Sequence, residues 1–67
     1  MSEIIEVVNG RLLREQQVAE LLGCSAAALR KWRLNGDGPR YCKLGRLVRY
    51  SEADLLAYIE QNRVEAA

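Results

Sequence analysis

Residues 15–34 read EQQVAELLGCSAAALRKWRL, and their spacing decides the fold. Val18, Leu21 and Leu22, then Leu29 and Trp32, recur at helical intervals on either side of Gly23-Cys24-Ser25. Gly23 can take the left-handed conformation that ends a helix, and Ser25 can cap the next one through its hydroxyl. Ala19, four residues before Gly23, is small enough to let the second helix cross close over the first. The spacing therefore predicts two short helices, about 15–22 and 26–34, joined by a tight turn. This is a helix-turn-helix, a unit that presents its second helix to the DNA major groove.

The charge distribution agrees with that expectation. Net charge is only +1, but seven of the ten cations lie between Arg30 and Arg49, against Asp37 alone. The flanking segments are acidic. A basic middle between acidic ends is the footprint of a local surface for a polyanion. On α-helical geometry Leu29 and Trp32 point inward with Ala28, whereas Ala26, Ala27, Arg30 and Lys31 look away and Arg33 lies on the flank. Arg30 and Lys31 are the candidate groove contacts, because a guanidinium can grip guanine bidentately or hold a phosphate.

Outward from this unit, Asn35 to Arg40 (NGDGPR) must be loop, since two glycines and a proline cannot continue a helix. Alternation over 41–44 and 48–50 predicts a β-hairpin, a wing with a basic tip at Arg46. Parity favours a three-residue loop at 45–47, with Cys42, Leu44, Val48 and Tyr50 inward and Lys43 and Arg49 outward. Ser51 and Asp54 then occupy capping positions of a last helix reaching about Asn62, expected to bury Leu55, Leu56, Tyr58 and Ile59. Toward the N-terminus, Ile4 to Val8 is β-branched and precedes an Asn9-Gly10 turn signal. That leaves open a short strand at about 4–8, paired with 11–13 or with the later hairpin, while Leu12 and Leu13 lead into the first helix. Arg14 is a poor N-cap for that helix, and Glu15 suits its dipole. The division expected is an N-terminal extension (1–11), a winged helix-turn-helix domain (12–62) and a frayed tail (63–67). The fold class is mainly α with a small β-hairpin wing and three main helices.

Other chemistries find little support. The chain has no histidine, and its two cysteines stand 18 residues apart with no CxxC, so no zinc ligand set exists. Both cysteines read as small buried apolar residues. Glu52 and Asp54 are explained by capping and dipole at a helix start, and no nucleophile–base pair suggests an enzyme. No cofactor motif is present. No apolar run approaches the ~20 residues of a membrane span, and the expected location is the cytoplasm.

The run from Leu12 to about Asn62 resembles the excisionase-like and AlpA-like winged helix-turn-helix proteins, a branch of the MerR-type DNA-binding superfamily. The carrying residues are LL at 12–13, VAELLGCS at 18–25, LRKW at 29–32 and GPRYCKLGRLVRYSEADLLAYI at 38–59. The resemblance implies a small bacterial or phage protein of a mobile element. Such a protein helps an integrase (a tyrosine or serine recombinase) excise the element, or regulates integrase genes. It implies a second helix in the major groove, with Ser25, Ala27, Arg30 and Lys31 at contact positions, and a wing in the minor groove, with Lys43, Arg46 and Arg49. With their neighbours Ala26, Arg33 and Arg40, these make up the candidate site on double-stranded DNA. Three departures stand out: Arg14 replaces a Ser or Thr cap, Ala26-Ala27-Ala28 replaces a basic or hydroxylated run, and Leu47 replaces a basic wing-tip residue. Alanines offer only methyl contacts, so base reading should be thin. Leu47 is expected to be exposed. A lone domain of this kind should bind weakly and need cooperative head-to-tail self-association along DNA. A third expectation, of another class, is a protein-interaction module, for which the alanine patch and Leu47 speak.

Overall fold

The computed structural model describes residues 10–65. Strand β1 (Leu12–Arg14) runs straight into helix α1 (Glu15–Leu22), and helix α2 (Ala26–Leu34) follows. A loop leads to strands β2 (Cys42–Leu44) and β3 (Leu47–Ser51), and helix α3 (Glu52–Gln61) closes the fold. The strands form one antiparallel sheet in the order β1-β3-β2. Three helices and a three-stranded sheet make this a winged helix-turn-helix. The suggested strand at 4–8 and its turn residue Asn9 lie outside the described residues.

Local chemistry sets the helix ends. Gly23 sits at φ +70°. Its N–H donates to Glu20 O at 3.2 Å, and Cys24 N–H donates to Ala19 O at 2.9 Å, the paired bonds of a Schellman ending. Ser25 Oγ accepts from Ala28 N–H at 3.1 Å and starts α2. Arg14 cannot cap α1 with its own side chain; instead Gln17 Oε1 reaches back to accept from Arg14 N–H at 2.9 Å. This is the reverse arm of a capping box, supplied by the third helical residue. Ser51 Oγ caps α3 by accepting from Asp54 N–H at 3.0 Å. The Glu52 carboxylate turns back to accept from Arg11 N–H at 2.8 Å, which stitches the start of α3 to the lead into β1.

The core consists of Leu13, Val18, Ala19, Leu29, Tyr50 and Leu55, with Leu22, Cys24, Trp32 and Val48 packed against it. Several expectations are corrected here. Leu21 is 66% exposed, because α1 buries the face carrying Val18, Ala19 and Leu22, and Leu21 lies about 110° round the helix from the centre of that face. Of the four α3 residues expected to be buried, only Leu55 is; Tyr58 is half-buried, its ring tilted against Trp32 with centres 6.2 Å apart, and Leu56 and Ile59 are exposed.

The hairpin register also differs. Leu44 pairs with Leu47, Lys43 with Val48 and Cys42 with Arg49, around a two-residue turn at Gly45-Arg46. Gly45 takes φ +65° at the first turn position, the pattern of a type II′ turn, whose twist suits a hairpin. Cys42 and Leu44 are therefore exposed, not inward, and Arg49 is half-buried. Parity misled because β2 is an edge strand on a wing that no helix covers. Val48 and Tyr50 do turn inward. Leu12 and Leu13 do lead into the helix, and residues 12–14 also form a third strand, paired with the later hairpin: Leu13 with Tyr50 and Arg14 with Arg49. Among the described residues, no helix is long and apolar enough to cross a membrane.

Candidate nucleic-acid interface

The basic residues of α2 and of the wing converge on one surface. A cleft of about 410 Å³ opens between the start of α1, the outer side of α2 and the hairpin. Five arginines line it, Arg14, Arg30, Arg33, Arg46 and Arg49, with one carboxylate, Glu15. A second cleft, of about 380 Å³, adjoins it between the end of α2 and the hairpin. Arg30, Arg33 and Arg46 line this one too, now with Lys43, Leu34 and Tyr41. Lys43 enters because it pairs with Val48 and so shares the face that Val48 turns toward α2.

The arginines are not equivalent. Arg33 is half-buried: its Nη1 donates to Tyr50 Oη at 2.7 Å and its Nη2 to Glu15 Oε2 at 3.0 Å. Its guanidinium also lies 5.6 Å from the centre of the Tyr41 ring, within cation–π range. Arg30 lies one helical turn earlier and reaches the same carboxylate from outside. Its Nε and Nη2 donate to Glu15 Oε1 at 3.1 and 2.8 Å. The Arg30 side chain is 62% exposed, that of Arg33 16%. Glu15 thus bridges the two α2 arginines.

The charges respond accordingly. Hydrogen bonding from Arg30 holds the Glu15 carboxyl below its ordinary value, against the opposing effect of its burial, and Arg33 adds to the lowering. For Arg33, burial works against the charge, but the bonds to Tyr50 and Glu15 outweigh it and raise its pKa. It stays cationic throughout the physiological range.

The remaining candidate residues lie around this centre. Ser25 and Ala27 are exposed at the start of α2, and Ala26 is half-buried. The Ser25 hydroxyl accepts a cap bond and keeps its own proton for donation to an anion. Lys31 is exposed on the helix. Arg40 stands in the 35–41 loop, in a separate depression with Arg33, Gly36 and Tyr41. Leu47 is 53% exposed beside Arg46, as expected, and its partner Leu44 is equally open.

Reading along the chain missed Glu15 and Tyr41 as lining residues, and Tyr50 as the buried acceptor behind Arg33. A weak signal existed: Arg30 and Arg33, three apart, share a helix side that also passes the start of α1.

A family model described as a helix-turn-helix domain matches residues 12–63, most of the chain. The chain belongs to this helix-turn-helix family. A comparison with curated proteins found no match. Membership supports DNA binding.

Proposed function

We propose that this helix-turn-helix protein is a recombination directionality factor. In this reading it binds and bends DNA beside an attachment site and assists an integrase in excising a mobile element, without catalysis of its own. The observation that carries the reading is the common cleft, where Arg30 from α2 and Arg46 and Arg49 from the wing face one volume. A duplex laid there touches both elements at once, so α2 enters the major groove while the wing follows the backbone into the minor groove. Ser25, Ala26, Ala27 and Lys31 then meet the groove, and Arg40 and Lys43 extend the basic track. Resemblance of the 38–59 block to excisionase-like proteins favours excision over other uses of the domain. The exposed leucines at the wing tip, Leu44 and Leu47, and the exposed Leu56 and Ile59 on α3 favour protomer contacts along DNA. Gripping successive grooves would bend the duplex, with added contacts offsetting the deformation.

The test is a footprinting titration on DNA spanning the protein's own gene and the element's attachment region, at two salt concentrations. Cooperative protection over direct repeats at the attachment site, lost at higher salt, is the expected result. One compact footprint over a promoter would replace this reading with a regulator of integrase genes. No protection at either salt, with Arg30→Glu and Arg46→Glu leaving function intact, would replace it with a protein-interaction module.

A further inference from the structure

The cleft holds an apparent contradiction. Five arginines would attract a polyanion, yet a carboxylate stands among them and repels one. We infer that Glu15 is a positioning residue, which converts Arg30 from a mobile phosphate anchor into a fixed reader of a guanine edge in the major groove. The inference deepens the DNA-binding reading and rests on it.

The geometry carries the assignment. Oε1 of Glu15 takes Arg30 side-on, through Nε and Nη2, and so uses two of its five N–H donors. The rest, both protons of Nη1 and the second of Nη2, are left over on a side chain that is 62% exposed. Two N–H groups in a fork are what the O6 and N7 acceptors of guanine require. The other oxygen of Glu15 is itself anchored, because Oε2 accepts from Arg33 and Arg33 donates to the hydroxyl of Tyr50. Tyr50 is 1% exposed, in the core. A chain of hydrogen bonds therefore runs from the packed interior through Arg33 and Glu15 to Arg30. An arginine on four flexible bonds would otherwise swing to whichever phosphate is nearest, a contact that holds but does not read. The neighbouring alanines make this more consequential, since Ala26 and Ala27 supply only methyl groups for base contact.

The experiment uses the full chain and two duplexes. One is selected by the wild-type protein from a randomised library; the other is its scrambled counterpart of equal composition. Affinities are measured for wild type, Glu15→Gln, Arg30→Gln and the double variant, below each variant's melting transition. Glu15→Gln should reduce discrimination between the duplexes about tenfold. Binding to the scrambled duplex should hold or tighten, and its log–log salt slope should steepen by roughly one, as Arg30 moves to a phosphate. In the Arg30→Gln background, adding Glu15→Gln should leave discrimination unchanged. If Glu15→Gln does not fold, Glu15→Asp keeps the charge, shortens the reach and should show the same loss. Unchanged discrimination would overturn the inference. So would an equal loss on both duplexes, which marks a merely structural role, or a full effect that persists without Arg30. Equal wild-type affinity for every duplex sinks the inference and leaves DNA binding standing; no binding to any duplex sinks both.

Discussion

The loop after α2 offers a comparison in which one physical difference separates two similar substitutions. Gly36 and Gly38 both take left-handed backbone, at φ +73° and +82°. Gly36 completes the Schellman ending of α2, its N–H donating to Arg33 O at 3.2 Å while Asp37 N–H donates to Trp32 O at 2.7 Å. A Cβ added at Gly36 would meet nothing within 4 Å. A Cβ at Gly38 would stand 3.0 Å from Trp32 Cε3 and 3.1 Å from Trp32 Cβ. Gly36→Ala should therefore carry only the left-handed strain, about 1 kcal/mol. Gly38→Ala adds displacement of the indole from its rotamer, roughly another 1 kcal/mol, and loosens its contact with Tyr58. At ~4–8 °C per kcal/mol for a domain of this size, Gly36→Ala should lower Tm by about 5 °C and Gly38→Ala by roughly twice that. Thermal melts by circular dichroism measure both. Trp32 is the single tryptophan, so its fluorescence supplies an independent readout that only Gly38→Ala should alter. Equal losses from the two substitutions, or an unchanged emission in Gly38→Ala, would refute the reasoning.

Other expectations concern the arginine cleft. Tyr50→Phe removes the acceptor that Arg33 Nη1 meets at 2.7 Å and should cost about 1–2 kcal/mol, read as a lower urea midpoint with unchanged m-value. Because the folded protein lowers the pKa of Glu15, its contribution to stability is complete above the unfolded value and is lost as pH falls through the folded one. The Tm advantage of wild type over Glu15→Gln should accordingly shrink between pH 7 and pH 3; an advantage independent of pH would contradict the ion pairing. Arg46→Gln at the wing tip should weaken binding similarly on all duplexes and reduce the salt slope by about 0.9, as for one lost phosphate contact. A loss confined to one sequence would instead make Arg46 a base reader.

The features legible along the chain are those whose physics is local. Gly23, Ser25 and Ser51 act on backbone groups within five residues, and each does what its residue type dictates. Periodicity says which residues share a helix side, but it does not say how much of that side other elements cover. A domain this small cannot enclose every apolar residue, so Leu21, Leu56 and Ile59 stay exposed although their spacing matches that of buried neighbours. The hairpin misled for a related reason. Parity presumes a buried face along the whole strand, and β2 projects beyond the core. Gly45, with its left-handed φ, was the better guide to register, because a two-residue turn starting on glycine is a local preference.

The cleft divides along the same line. That cations cluster between Arg30 and Arg49 is visible in the composition, and Arg30, Arg33, Arg46 and Arg49 do line a common volume. What each cation is free to do depends on partners distant in sequence. Arg30 and Arg33 are three residues apart on one helix, yet Arg33 is tied to Tyr50, seventeen positions further on, and the two share a carboxylate at least fifteen positions back. A charge count weights the pair equally; burial and hydrogen bonding do not. Arg33 has surrendered donors to the core and acts as the brace, while Arg30 keeps its outer edge for a ligand. The salt dependence of DNA binding should therefore reflect fewer phosphate contacts than the seven clustered cations suggest. On the inference that Arg30 reads a base, the difference is the part of the basic charge that holds it still.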